Sequence, residues 1–87
     1  MALKRRANLL IQMEILELII REPRGPTRLA QAANLNYQRC EEILSDFLAK
    51  QMVLKTVGEG HETYSATPKG VELFMRWERF YEELKVP

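Results

Sequence analysis

The sequence predicts a mainly α fold carrying one small β-hairpin, in the order helix, helix, turn, helix, hairpin, long helix. Three observations predict it. Residues 3–21 hold no Pro or Gly and are rich in helix formers, until Pro23, Gly25 and Pro26 stop the run. From Thr27 to Val53 the pattern is a short helix, a tight turn and a longer amphipathic helix. Two short runs rich in Val, Thr and Tyr then flank Gly58-Glu59-Gly60, and Thr67-Pro68 opens a final helix.

The first helix, residues 3–21, places Leu9, Leu10, Ile11, Met13, Ile15, Leu16, Leu18, Ile19 and Ile20 in nearly every direction of its wheel. A helix that apolar all round needs cover on two sides. The second helix, residues 28–33, takes Thr27 as its expected N-cap, because a hydroxyl can accept one of the backbone N–H groups left unpaired at a helix start. Asn34 suits the left-handed residue that ends it. Asn36 caps a third helix, residues 37–50, in which Cys40, Ile43, Leu44, Phe47 and Leu48 repeat at helical spacing and anchor one face. Gln38, Glu42, Ser45 and Ala49 fall on the opposite face, with Arg39, Asp46 and Lys50 along one flank.

The hairpin spans residues 53–66, with glycines at its turn and with Tyr64 and Ala66 turned inward. The last helix, residues 68–84, has Thr67 as cap and Pro68 at the first helical position, where a missing N–H costs nothing. Leu73, Trp77, Phe80 and Leu84 recur along it at spacings of four, three and four, beside a second stripe of Val71, Phe74 and Tyr81. One stripe suffices to dock the helix. The other would leave large aromatic surface exposed in a monomer, so it marks Leu73, Trp77, Phe80 and Leu84 as a candidate homodimer interface.

The 87 residues read as a single domain, 1–87, that buries only roughly 60 to 65% of its unfolded surface. A hydrophobic fraction of 46% and a charged fraction of 29% fit a soluble globular protein. The greasiest stretch is broken by Gln12, Glu14 and Glu17, which argues against a membrane span, and the expectation is a cytoplasmic protein. One cysteine, Cys40, admits no internal disulfide and no cysteine-cluster metal site. Cys40 lies on an apolar helix face, His61 is the single histidine, and the glycines are too scattered to cradle a phosphate. The sequence therefore points to no enzyme, no cofactor and no small-molecule ligand. The net charge of +1 hides an asymmetry of +3 over residues 1–36, carried by Lys4, Arg5, Arg6, Arg21, Arg24 and Arg28, against −2 over the remainder. Phosphate contacts should draw on the first third of the chain.

With these elements in order, the chain resembles the small archaeal winged-helix transcriptional regulators. The resemblance rests on Ala33-Asn34-Leu35-Asn36-Tyr37 at the turn, Phe47-Leu48 followed by Met52-Val53, and Tyr64-Ser65-Ala66-Thr67-Pro68-Lys69-Gly70, and it covers roughly residues 6 to 84. It implies a winged helix-turn-helix fold with a long C-terminal helix. One branch of that family dimerises through this helix as an antiparallel coiled coil and binds double-stranded DNA as the dimer. Met52 stands where the pattern usually has Gly, and the third helix is more acidic than usual.

A third helix in the major groove would present Tyr37, Gln38 and Arg39 to base edges or phosphates, Gln suiting adenine and Arg guanine. Phosphates would meet Thr27 and Arg28 at the start of the second helix, where the helix dipole favours anions. Lys55 on the wing and Lys4, Arg5 and Arg6 ahead of the first helix are further candidates. The competing arrangement pairs Arg39 with Glu42 and Lys50 with Asp46 on a solvated face. Two functions follow: a dimeric DNA-binding transcriptional regulator or architectural chromatin protein, or a winged helix used as a protein-interaction module, which near-neutral charge and an acidic third helix would also fit.

Overall fold

Residues 8–85 are described by a computed structural model of the chain; the expected start of the first helix at Leu3, and Lys4, Arg5 and Arg6, lie outside them. The elements are α1 (Asn8–Arg21), α2 (Pro26–Ala33), α3 (Tyr37–Ala49), β1 (Val53–Gly58), β2 (His61–Ala66) and α4 (Pro68–Lys85). β1 and β2 pair antiparallel from Val53 opposite Ala66 to Gly58 opposite His61. The fold is a winged helix-turn-helix with a long C-terminal helix.

α1 is the central element, and its apolar wheel is largely consumed within the chain. Ile15, Leu16 and Ile19 are fully buried, with Ile11, Leu18 and Ile20 partly so, because α2, β2 and α4 all touch this helix. The apolar face of α3 seals the other side of the core through Cys40, Ile43, Leu44 and Phe47. From the hairpin, Val53 and Tyr64 point inward, and α4 adds Phe74. Among the described residues, no helix is long and apolar enough to cross a membrane.

Three of the four caps stand where the sequence puts them. Asn34 adopts the left-handed conformation (φ 58, ψ 48), Asn36 accepts a 2.7 Å hydrogen bond from the Arg39 amide, and the Thr67 hydroxyl accepts one from the Gly70 amide at 3.0 Å. The same Thr67 hydroxyl donates to the Gln51 carbonyl, so it ties the start of α4 to the end of α3. Thr27 does not cap α2. The helix begins two residues earlier than expected, at Pro26, with Gly25 in the capping position and no side-chain cap bond. The physical reason is the one that applies at Pro68: proline's fixed φ favours the first helical position, which displaces Thr27 into the first turn.

Two further features depend on contacts distant in sequence. Arg24 exchanges backbone hydrogen bonds with Tyr64 (3.2 and 2.8 Å) and adds a one-residue third strand to the wing. At the wing tip Glu59 (φ 52) and Gly60 (φ 80) both take left-handed backbone, the signature of a type I′ turn that matches strand twist. Gly60 therefore meets the conformational demand, whereas Gly58 does not. The left-handed residue near the end of α3 is Gln51 (φ 61), one position before Met52.

Candidate nucleic-acid interface

The helix-turn-helix is set by backbone bonds across the turn. The Leu35 amide donates to the Ala30 carbonyl at 2.9 Å and the Asn34 amide to Gln31, while Leu35 packs on the core. This fixes α3 against α2 and leaves Gln38, Glu42, Ser45 and Ala49 exposed on its outer face, with Tyr37 half exposed at its head (50%). The Cys40 thiol lies 3.8 Å from the Pro26 carbonyl and holds the starts of the two helices together. Burial pushes that thiol up from its ordinary pKa, so it is a packed, neutral group.

Between the start of α2, the head of α3 and the wing tip runs a groove of about 580 Å³, lined by Arg24, Thr27, Arg28, Tyr37, His61 and Glu62 among others. Three of the residues expected to meet DNA, Thr27, Arg28 and Tyr37, thus share one concavity. Thr27 and Arg28 are exposed at an α2 start with no side-chain cap bond. Among the described residues, no carboxylate lies within ion-pairing distance of Arg28. Gly25 lets this segment approach the wing, since a Cβ there would stand 2.9 Å from the Glu62 carbonyl oxygen.

The other expected contacts are placed differently. Gln38 is exposed on α3. Arg39 turns back across the helix, its guanidinium donating to Asn8 of α1 and lying 3.6 Å from Glu42. Lys50 pairs with Asp46 at 2.9 Å, so both local pairs expected on this flank are formed. Lys55 is held by Glu62 at 3.4 Å; that carboxylate, first through hydrogen bonding, raises the lysine's pKa. Tyr37 is pushed up to about 12, chiefly by hydrogen bonding to Glu41, so its phenol stays neutral. Among the described residues, no group of His, Cys, Asp and Glu side chains is assembled to hold a metal ion.

On α4, Leu73 and Trp77 are half-buried against the core, while Phe80 (60%) and Leu84 (67%) are exposed. Trp77 stacks on Tyr81 at 5.1 Å between centroids and tilts against Phe74 at 5.9 Å. Arg24 escaped the sequence reading as a groove residue, because its position depends on the bridge to Tyr64, 40 residues away.

The family model described as winged helix-turn-helix matches residues 5–85. No curated protein matches the sequence. Among solved structures, the chain is similar to Sso10a-2, a DNA-binding protein from Sulfolobus solfataricus, with 22% identity and a TM-score of 0.82 over 92% of this chain and 83% of that one. It is similar to the transcriptional regulator BldR from the same organism at 19% identity and a TM-score of 0.80, covering 86% of this chain but only 56% of the regulator. A homodimeric winged helix-turn-helix DNA-binding domain of Mb0332 from Mycobacterium bovis, a possible ArsR-family regulator, aligns at 20% identity and a TM-score of 0.75, over 88% and 71% of the two chains.

Proposed function

The chain belongs to the winged helix-turn-helix family, and from that premise we propose that it is a homodimeric double-stranded-DNA-binding protein, a transcriptional regulator or architectural chromatin protein. α3 enters the major groove, Tyr37 and Gln38 face the bases, and Thr27 and Arg28 meet phosphates. The observation that carries the reading is the shared concavity of Thr27, Arg28 and Tyr37 beside the exposed Gln38, with Arg28 unpaired among the described residues. A cation without a carboxylate partner gives up no ion pair when it meets a phosphate. Arg39, held by Asn8 and Glu42, and Lys55, held by Glu62, must first exchange partners, so they contribute less. The DNA-binding and homodimeric proteins among the similar structures support the same reading.

The test is duplex binding followed by fluorescence anisotropy across a salt series. Each phosphate neutralised steepens the slope of log affinity against log salt by about 0.9. Arg28→Ala should flatten that slope by about one phosphate's worth with the fold intact, whereas Gln38→Ala should weaken some duplex sequences more than others. Absence of duplex binding at micromolar protein and low salt would refute the proposal.

A further inference from the structure

The proposed DNA contacts leave one cation of the groove unused. Arg24 is anchored through its backbone to Tyr64, and its side chain is only 23% accessible. Its Nε is buried with no hydrogen-bond partner among the described residues. Among the described residues its terminal nitrogens find only Glu22, at 3.9 Å, beyond hydrogen-bond range, and that carboxylate is itself largely in solvent. Native proteins rarely leave a buried polar group of this kind unsatisfied, and each such group calls for a physical explanation. Arg24 lines the same groove as Arg28, with Thr27, Tyr37 and Thr63 also in the lining. Among the described residues, the one carboxylate in the lining, Glu62, is engaged with Lys55.

We propose that this groove is an oxyanion site in which Arg24 and Arg28 together grip a phosphate-type group. A guanidinium presents a planar fork of donors suited to phosphate oxygens. An acceptor arriving from the groove meets the terminal nitrogens of Arg24, the accessible part of its guanidinium, which hold no hydrogen bond among the described residues. The groove is open and far larger than a single ion, so it admits an oxyanion that is part of a longer molecule. The inference rests on the DNA reading for its principal ligand, a backbone phosphate held between α2 and the wing. A free phosphate or phosphorylated small molecule offers the same chemistry.

Two experiments on the full chain separate these sources. In the first, ¹H–¹⁵N spectra are recorded while inorganic phosphate is added, with chloride at matched ionic strength as reference. The Arg24 Nε–H and the amides of Thr27 and Arg28 should shift saturably with phosphate alone. Arg24→Gln should abolish the saturation, and Arg21→Gln, which alters an exposed arginine paired with Glu17 on α1, should not. Arg24→Lys keeps the charge without the fork and should retain only weak binding; thermal melts of all three variants establish that they fold. In the second, Arg24→Gln should flatten the duplex salt slope by about one phosphate's worth. Saturable phosphate binding with an unchanged duplex slope upholds the oxyanion site but assigns it to a free ligand. No saturable shift in the wild-type protein overturns the proposal, whether or not the protein binds DNA.

Discussion

Tyr37 heads α3 with half its surface exposed, yet Glu41 one turn further on, chiefly through hydrogen bonding, and the nearby Glu62 both oppose its ionisation. Its folded pKa, about 12, lies above the ordinary value of 10, so the stabilisation from this hydrogen bond is fully present below pH 10. It is lost as pH rises from about 10 through 12. Absorbance titration of the wild type minus Tyr37→Phe should therefore place the midpoint well above 10 while circular dichroism reports an intact fold, and Glu41→Gln should bring it down. A midpoint near 10 in the folded wild type would remove Glu41 as the residue that orients Tyr37. At this scale, legibility followed distance along the chain. Asn34, Asn36 and Thr67 could be read because each acts within a few residues of itself, on rules of backbone conformation and capping. Arg24 could not, since neither its bridge to Tyr64 nor its missing acceptor has any local signature.

The elements themselves were legible because their signals are periodic and local. The observed bounds of α3 and the hairpin differ from the expected ones by no more than a residue, and α2 starts earlier because Pro26 outranks Thr27. What periodicity could not convey is how tightly one element seats on another. Gly70, in the first turn of α4, is buried so close to the end of α3 that an added Cβ would meet the Met52 carbonyl oxygen at 2.1 Å and its carbon at 3.1 Å. Those are backbone atoms, and the Met52 amide and carbonyl are already bonded to Phe47 and Thr67. Gly70→Ala should therefore tilt or lift α4 and cost about 1–3 kcal/mol, as overpacking does elsewhere. Gly58→Ala is the control, because nothing lies within 4 Å of its Cβ position. Urea unfolding should show a lowered midpoint for the first substitution and little change for the second. Equal midpoints would mean that α4 is not seated through this contact.

For the whole molecule, the question is what covers the far end of α4. The apolar excess of α1, a helix expected to need cover on two sides, is met mostly by α2, β2 and α4 of the same chain. The case for self-association therefore moves to Phe80 and Leu84, exposed on the stripe whose other members, Leu73 and Trp77, are half-buried. The spacing of that stripe places Arg76 and Glu83, seven residues apart, on one flank. An antiparallel pairing of two α4 helices would set Leu73 against Leu84 of the partner subunit, Trp77 against Phe80 of the partner subunit, and Arg76 beside Glu83 of the partner subunit. Arg76 now pairs with Glu72 at 2.9 Å on the exposed helix surface, an interaction weak enough to be shared or exchanged. The expected outcome is that Arg76→Glu and Glu83→Arg each weaken the dimer, and that the double exchange restores it. Exposed ion pairs are worth about 0.2–1 kcal/mol and two occur per dimer, so each single substitution should raise the dissociation constant by roughly 2- to 30-fold. Phe80→Asp should do more, by placing a charge in the seam. Sedimentation equilibrium measures all four proteins. A dimer indifferent to Phe80→Asp, or a double variant no better than the singles, would rule out this seam and its orientation. Because paired helix-turn-helix units must present their recognition helices about 34 Å apart to reach successive major grooves, variants that lose the dimer should also bind duplex DNA with a smaller salt slope.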